Sequence, residues 1–289
     1  MDLEYRPLYP KHVLDSTKNS LFKCSYIVSP YIGCEYNCVY CTGCIFREEP
    51  KEFKKTIQIK VNAPALIRKE LKSAKKNLVC LKGYQPVEKE YRLTRKILEA
   101  LFYRKFPVHI VTKSDMITKD IDILEKMSEE GFCTVTFILN TLDKDILKIF
   151  EPHAPSPKKR MKALESITSA GITAGIALSP IVPYITDSKE QLEEIIKRAA
   201  ESKASYVMPL VLTLDDSIRP QVIDVIKRNF PTQLVKYRKL YEFGSSADVK
   251  YSRQLKSRLR FLLDKYSLNE EMPVYDAQRR TKQINIEEF

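Results

Sequence analysis

The chain contains no tryptophan, only three histidines and only seven glycines in 289 residues. It also lacks any apolar run of the roughly 18 residues a membrane-spanning helix requires, so no membrane span is expected. The opening MDLEYRPLYPKH has no apolar stretch followed by small residues, which excludes a secretory signal there and makes the cytoplasm the expected location. Internal repeats and low-complexity tracts are absent. Tyrosine is plentiful at sixteen, yet no aromatic cluster spells out a base-stacking platform. Seven cysteines is an odd number, and their spacings of two and three residues do not suit a disulfide framework.

What the chain does have is a hydrophobic fraction of 44% spread along its length, enough for a large core. Its length suits one large α/β domain with an appendage, or two compact units. The net charge is +12, concentrated between Arg47 and Lys105, where seventeen Lys/Arg face seven Asp/Glu. Such a field favours a polyanionic partner, and equally serves as a solubilising surface.

Short β-branched runs alternate with longer segments of helical period, the pattern of a parallel sheet with helical crossovers. CSYIVS (24–29), NLVCLKG (77–83), PVHIVTKS (107–114), FCTVTFILN (132–140), ITAGIALSPI (172–181) and SYVMPLVL (205–212) read as six strands. TIQIKV (56–61) reads as a short extra strand. Helices are expected over APALIRKELKSAKK (63–76), EYRLTRKILEALFYRK (90–105), KDIDILEKMSEE (119–130), DKDILKIF (143–150), PKKRMKALESITSAG (157–171) and SKEQLEEIIKRAAES (188–202). Gly171 suits a C-terminal cap. The predicted fold is α/β, a partial TIM-like barrel of six strand–helix units. It divides into an N-terminal arm (1–23), a core barrel (24–230) and a basic helical extension (231–289), whose end, QRRTKQINIEEF, reads as frayed or draped over the barrel.

Strand C-terminal ends share one rim in such a fold, so polar groups there define the candidate pocket. The rim collects the cysteine loop, Lys82 to Gln85, Thr112 to Ser114, and Asn140 with Thr141. The loop YIGCEYNCVYCTGC (31–44) places Cys34, Cys38 and Cys41 at C-x3-C-x2-C, with Cys44 three residues on. A loop this short can turn three thiolates toward one centre, and thiolates suit iron–sulfur clusters or zinc. Zinc normally takes four protein ligands in two separated pairs. No second Cys or Cys–His pair occurs, so zinc would have to recruit Cys44 within a crowded loop.

This spacing, with Tyr40 before the last cysteine and just after a first strand, resembles the radical S-adenosylmethionine (SAM) superfamily. GYQPVEKEYRLTRKILEAL (83–101), VTKSDMITKDIDIL (111–124), FEPHAPSPKKRMKAL (150–164) and SPIVPYITDS (179–188) extend the resemblance to the spore photoproduct lyase-like, or DNA repair photolyase-like, branch over residues 20 to 230. The resemblance implies a 4Fe–4S cluster held by Cys34, Cys38 and Cys41, with SAM bound to the fourth iron. It implies reductive SAM cleavage to a 5′-deoxyadenosyl radical, with an electron donor such as ferredoxin or flavodoxin. By position, Tyr40 would lie near the adenine, Lys113 and Ser114 would grip the methionyl group, and Tyr84 and Gln85 would meet its amino group. Asn140 and Thr141 would meet the ribose. Glu151 and Arg160 would form a supporting ion pair, or a surface pair at a helix entrance, unless Arg160 reached a carboxylate directly.

Cys80 has two readings. In lyases of that branch a cysteine at the second-strand end returns a hydrogen atom to the product, and Cys80 lies one residue off that place; free cysteine is also among the most buried residue types. Cys24, Cys133 and His109 read as core, and nothing singles out His153. Substrate is open among a DNA photoproduct, RNA and a protein side chain, with the basic excess pointing to nucleic acid. The rival from another class is a non-catalytic nucleic-acid-binding protein whose four loop cysteines hold zinc or a structural cluster. It would need Cys44 as much as Cys34 and would not bind SAM.

Overall fold

Apolar runs too short to span a helix satisfy their backbone groups by lying side by side. The computed structural model, which describes residues 3–18, 21–41 and 56–276, has that arrangement. Its strands are β1 (Glu4–Leu8), β2 (Leu14–Ser16), β3 (Tyr26–Val28), β4 (Tyr31–Ile32), β5 (Thr56–Lys60), β6 (Val79–Leu81), β7 (Val108–Thr112), β8 (Cys133–Leu139), β9 (Thr173–Ile181) and β10 (Tyr206–Val211). Seven strands form the main sheet in the order β10-β9-β8-β7-β6-β3-β2. All its pairings are parallel except that of β2, which joins β3 antiparallel at the edge. The six parallel strands each lie inside the run expected for them, and with their crossovers they build a partial α/β barrel.

The helices are α1 (Ala63–Glu70), α2 (Glu88–Tyr91), α3 (Leu93–Tyr103), α4 (Ile121–Glu130), α5 (Lys144–Phe150), α6 (Pro157–Ser169), α7 (Lys189–Glu201), α8 (Arg219–Asn229), α9 (Leu234–Leu240) and α10 (Val249–Lys265). Their starts follow local chemistry. Asp143 and Ser156 accept backbone N–H groups at the starts of α5 and α6, and Ser188 with Gln191 makes a reciprocal capping box on α7. Gly171 follows the end of α6 at φ +73°, the left-handed position expected for it. Three helices depart from expectation. The first stops at Glu70 instead of reaching 76, the second is broken at Arg92 (φ 49°) into α2 and α3, and α8 had no run assigned to it.

The period of two divides each strand between two faces. Val79, Leu81, Val108, Ile110, Val135 and Phe137 point to the helical layer, where Ile97, Leu101, Leu124, Ile167 and Ile195 meet them in the main core. Leu78, Cys80, Val111, Tyr206 and Met208 point the other way, into the barrel. Residues of the expected N-terminal arm are woven into both sheets: β2 edges the main one, and β1 pairs parallel with β5, which pairs antiparallel with β4 in a second, three-stranded sheet. The C-terminal extension closes onto the barrel as well, because Leu255, Leu259, Leu262 and Leu263 of α10 bury into the main core. Residues 278–289 lie outside the described residues.

Candidate cluster and cofactor site

The cysteine loop leaves the small sheet at Ile32 and turns at Gly33. That residue has φ +89°, and a Cβ there would sit 2.7 Å from the Thr56 carbonyl oxygen, so only glycine fits. Two tight turns follow, with Asn37 N–H donating to Cys34 C=O at 3.4 Å and Cys41 N–H donating to Cys38 C=O at 3.2 Å. They carry the chain through Cys34, Cys38 and Cys41 in eight residues. Side chains from elsewhere pin the loop. Gln85 accepts from Glu35 N–H at 2.9 Å and donates to the Gly33 carbonyl at 3.4 Å. The buried Glu35 carboxylate accepts from Tyr5 Oη and from Val87 N–H, both at 2.7 Å. Val39 N–H donates to Phe150 C=O at 2.8 Å, tying the loop to the end of α5.

No described cysteine is in a disulfide. Burial pushes the Cys34 thiol up to about 12 and the Cys38 thiol up to about 11, while the Lys113 ammonium pulls both down. Thiols so placed ionise when a metal centre supplies the positive charge. Three thiols on one short loop, held beside a lysine ammonium, are a donor set that fits an iron–sulfur cluster. Cys44 lies outside the described residues.

Beside the loop sits a buried ion network. Glu151, at the C-terminal end of α5, is 1% exposed. One of its oxygens accepts from Lys113 Nζ at 2.7 Å and from Tyr40 Oη, and the other accepts from Arg160 Nη2. Arg160 spends its remaining faces on the carbonyls of Pro155 and Ile138, each at 2.9 Å. Its guanidinium is thus buried behind Glu151 and supports it, so the pair is an interior one and not a surface pair. Burial alone would raise the Glu151 carboxyl, but Lys113 and Arg160 outweigh it and hold the group below its ordinary value. Two cations around one carboxylate leave the cluster net positive. Lys113 Nζ also touches Tyr40 Oη at 3.1 Å and lies 5.0 Å from the centre of its ring.

The rim residues divide by what their polar atoms already do. Tyr84 turns its hydroxyl to Asp120 at 2.7 Å, so only its backbone carbonyl faces the loop, where Tyr36 Oη approaches at 3.4 Å. Gln85 is committed to the loop backbone. Ser114 accepts from Met116 N–H at 3.2 Å, capping the turn before α4, and Thr141 accepts from Asp143 N–H at 3.1 Å. Asn140 differs from all of these. It is fully buried at the end of β8, and among the described residues neither its amide nitrogen nor its oxygen has a partner. Leaving such a group without partners costs roughly 1–3 kcal/mol per missing bond, so Asn140 calls for partners beyond the described residues.

Cys80 faces the barrel interior one residue inside the end of β6 and is 1% exposed. Its neighbours there are Cys24 and His109. The sequence reads Cys24 and His109 as core and Cys80 as either core or a hydrogen-atom relay, and does not bring the three together. Cys24 precedes β3 instead of lying within it. Also unforeseen were Glu35, whose signal could only have come from knowing that Val87 and Tyr5 flank the loop, and Tyr36.

The parallel α/β barrel thus carries a three-cysteine loop with a net-positive buried network beside it. The chain belongs to the radical SAM superfamily, which matches it over residues 28–208. That superfamily uses a 4Fe–4S cluster and SAM. An uncharacterized protein of Mycobacterium tuberculosis is 28% identical over 254 residues, covering 84% of this chain and 75% of that one. The fold matches a spore photoproduct lyase variant solved with bound AdoMet and dinucleoside spore photoproduct, with a TM-score of 0.64 over 90% of this chain and 78% of that one at 16% identity. It also matches Streptococcus suis SuiB bound to precursor peptide SuiA, with a TM-score of 0.56 over 90% of this chain and 50% of that one at 18% identity. No described helix is long and apolar enough to cross a membrane.

Proposed function

We propose that the chain is a radical SAM enzyme acting on a polyanionic substrate, with Cys34, Cys38 and Cys41 as the cluster ligands. When bound, the 4Fe–4S cluster supplies the electron that splits the sulfonium to C5′ bond of SAM and yields the 5′-deoxyadenosyl radical. The chain's own residues bind, orient and exclude water. Gln85 and Glu35 hold the cysteine loop in shape. Lys113, aimed by Glu151, grips the methionyl carboxylate, and the Tyr84 carbonyl and Ser114 border the same group. Asn140, with Thr141 beside it, meets the ribose hydroxyls, and the Tyr40 ring borders the adenine. Arg160 acts through Glu151 as a positioning residue. The observation that carries this assignment is the buried amide of Asn140, unpartnered among the described residues, at the strand-end rim beside the cysteine loop.

The substrate class rests on charge. Lys250, Arg253, Lys256 and Arg260 are all exposed on α10, a stripe that can neutralise phosphates without reading sequence. Two fold relatives that share this barrel were solved with a dinucleoside photoproduct and with a peptide, and the stripe favours the former type of substrate.

Anaerobic reconstitution with iron and sulfide, followed by chemical reduction and chromatography of the products of SAM, tests the activity. 5′-Deoxyadenosine is expected from the native chain and from a Cys44→Ala variant, and none from Cys38→Ala. A protein that takes up zinc alone, or loses its cluster with Cys44, fits the non-catalytic rival instead. Binding to DNA or RNA that weakens steeply with salt supports the substrate class, and equal binding to neutral and anionic polymers removes it.

A further inference from the structure

The inner face of the barrel carries a second set of soft ligands away from the cysteine loop. Cys80 of β6 and His109 of β7 are registered partners in the parallel sheet, so both project to the same face. Cys24, just before β3, completes the group, and the three ligand atoms all lie within 4.8 Å of one another, with Cys24 Sγ 4.0 Å from His109 Nδ1. All three residues are buried, at 4%, 1% and 0% exposure.

A hydrogen-bonded chain stands behind the imidazole. Tyr206 Oη lies 3.1 Å from the Val135 carbonyl, 2.7 Å from Thr136 Oγ1 and 3.3 Å from Thr134 Oγ1, and Thr136 Oγ1 lies 2.6 Å from His109 Nε2. In the tautomer whose Nε2 donates to Thr136, Nδ1 keeps its lone pair on the side where Cys24 Sγ lies. A histidine that donates from one nitrogen to an outer partner while presenting the other is the arrangement of metal-ligating imidazoles. The Cys80 thiol is drawn below its ordinary value, by Cys24 first and by His109 after it, against the opposing effect of burial.

We propose that Cys24, Cys80 and His109 bind one zinc-class divalent ion, at a site separate from the cysteine loop and independent of the function assigned to it. Charge selects the valence. Two thiolates and a neutral imidazole around a divalent ion sum to zero, the state a dry apolar pocket tolerates, whereas a monovalent ion would leave a buried net charge. Zinc takes sulfur and imidazole donors readily, and binding sends the two thiol protons to solvent. Drawing ligand atoms from 4.8 Å separation onto a tetrahedral ion with Zn–S near ~2.3 Å asks them to close by about 1 Å. Three protein ligands leave the fourth position to water or another small donor. Phe22, whose ring meets that of His109 edge-on at 4.5 Å, and Met208 pack in one apolar cluster with the two cysteines and also line a surface cleft of about 190 Å³.

Metal counting on the full-length chain tests this separately from the cluster. After anaerobic reconstitution with iron, sulfide and one equivalent of zinc, then gel filtration, the native chain is expected to hold both iron and one zinc. The C34A/C38A/C41A variant should lose the iron and keep the zinc. C24S and C80S should lose the zinc and keep the iron. Cobalt(II) added to C34A/C38A/C41A gives a reading that needs no change in the site itself: thiolate-to-cobalt charge-transfer absorption and the intense visible bands of four-coordinate cobalt are expected. Zinc that disappears with Cys34, Cys38 and Cys41, or cobalt spectra without thiolate bands, would overturn the proposal. Loss of iron from the native chain would instead count against the radical SAM assignment.

Discussion

Lys113 and Glu151 meet at 2.7 Å although 38 residues separate them, joining the end of β7 to the end of α5. Glu151 is also the contact through which Arg160, fully buried behind it, reaches that lysine. The carboxylate therefore keeps two cations in place, one of which, Lys113, stands beside the cysteine loop. Removing it exposes what each contributes.

Glu151→Gln leaves Arg160 buried without its counter-charge. Breaking a buried pair from one side typically costs about 3–5 kcal/mol, and a loss of that order is expected in urea denaturation of the apo chain. The pH dependence has a definite sign. The folded carboxyl sits below its ordinary value, so its stabilisation is complete above the usual carboxylate range and fades as pH falls through the lowered value. Stability of the native chain should therefore drop on the acid side, and Glu151→Gln should flatten that limb. An acid limb of unchanged steepness in the variant would show that other carboxylates set it.

Gln85→Ala removes the two hydrogen bonds that clasp the loop backbone at Glu35 and Gly33. At roughly 0.5–1.5 kcal/mol each, the fold should survive with a modest drop in melting temperature. Iron and sulfide retained after reconstitution should fall more sharply, because the cysteines lose their preset geometry. Cys38→Ala should show the reverse pattern, with iron lost and the melting temperature of the apo chain little changed. Equal iron retention in native and Gln85→Ala chains would mean the loop shapes itself without the clasp.

Asn140→Leu separates stability from binding. Its amide atoms have no partners among the described residues, so replacing them with methyl groups removes no hydrogen bond from the apo chain. Thermal denaturation should show equal or higher stability, while calorimetry on the cluster-loaded protein should show SAM bound at least tenfold more weakly. Unchanged affinity would release Asn140 from the cofactor site.

The six parallel strands could be read from sequence because each is buried on at least one face, and β-branched runs record that burial directly. The strands β1 and β2 left no such record. EYRPL is exposed at nearly every position and contains a proline, and its partner β5 lies some fifty residues on. Cysteine spacing in the loop was equally legible, since C-x3-C-x2-C is local. Non-local pairings were not. Gln85 looked like a cofactor ligand from its place at a strand end, and only the folded chain shows its amide spent on the loop backbone. Cys24 and His109 each looked like an ordinary core residue and Cys80 like either a core residue or a hydrogen-atom relay, because strand register, which sequence pattern does not supply, is what sets Cys80 against His109.

The open iron on which the radical SAM assignment depends can be observed without knowing the substrate. Electron paramagnetic resonance of the anaerobically reconstituted and reduced chain should show a 4Fe–4S signal whose shape and g-values change when SAM is added, the change expected if Cys34, Cys38 and Cys41 are its only protein ligands. A cluster signal identical with and without SAM, or no cluster signal from a fully folded chain, would contradict the assignment.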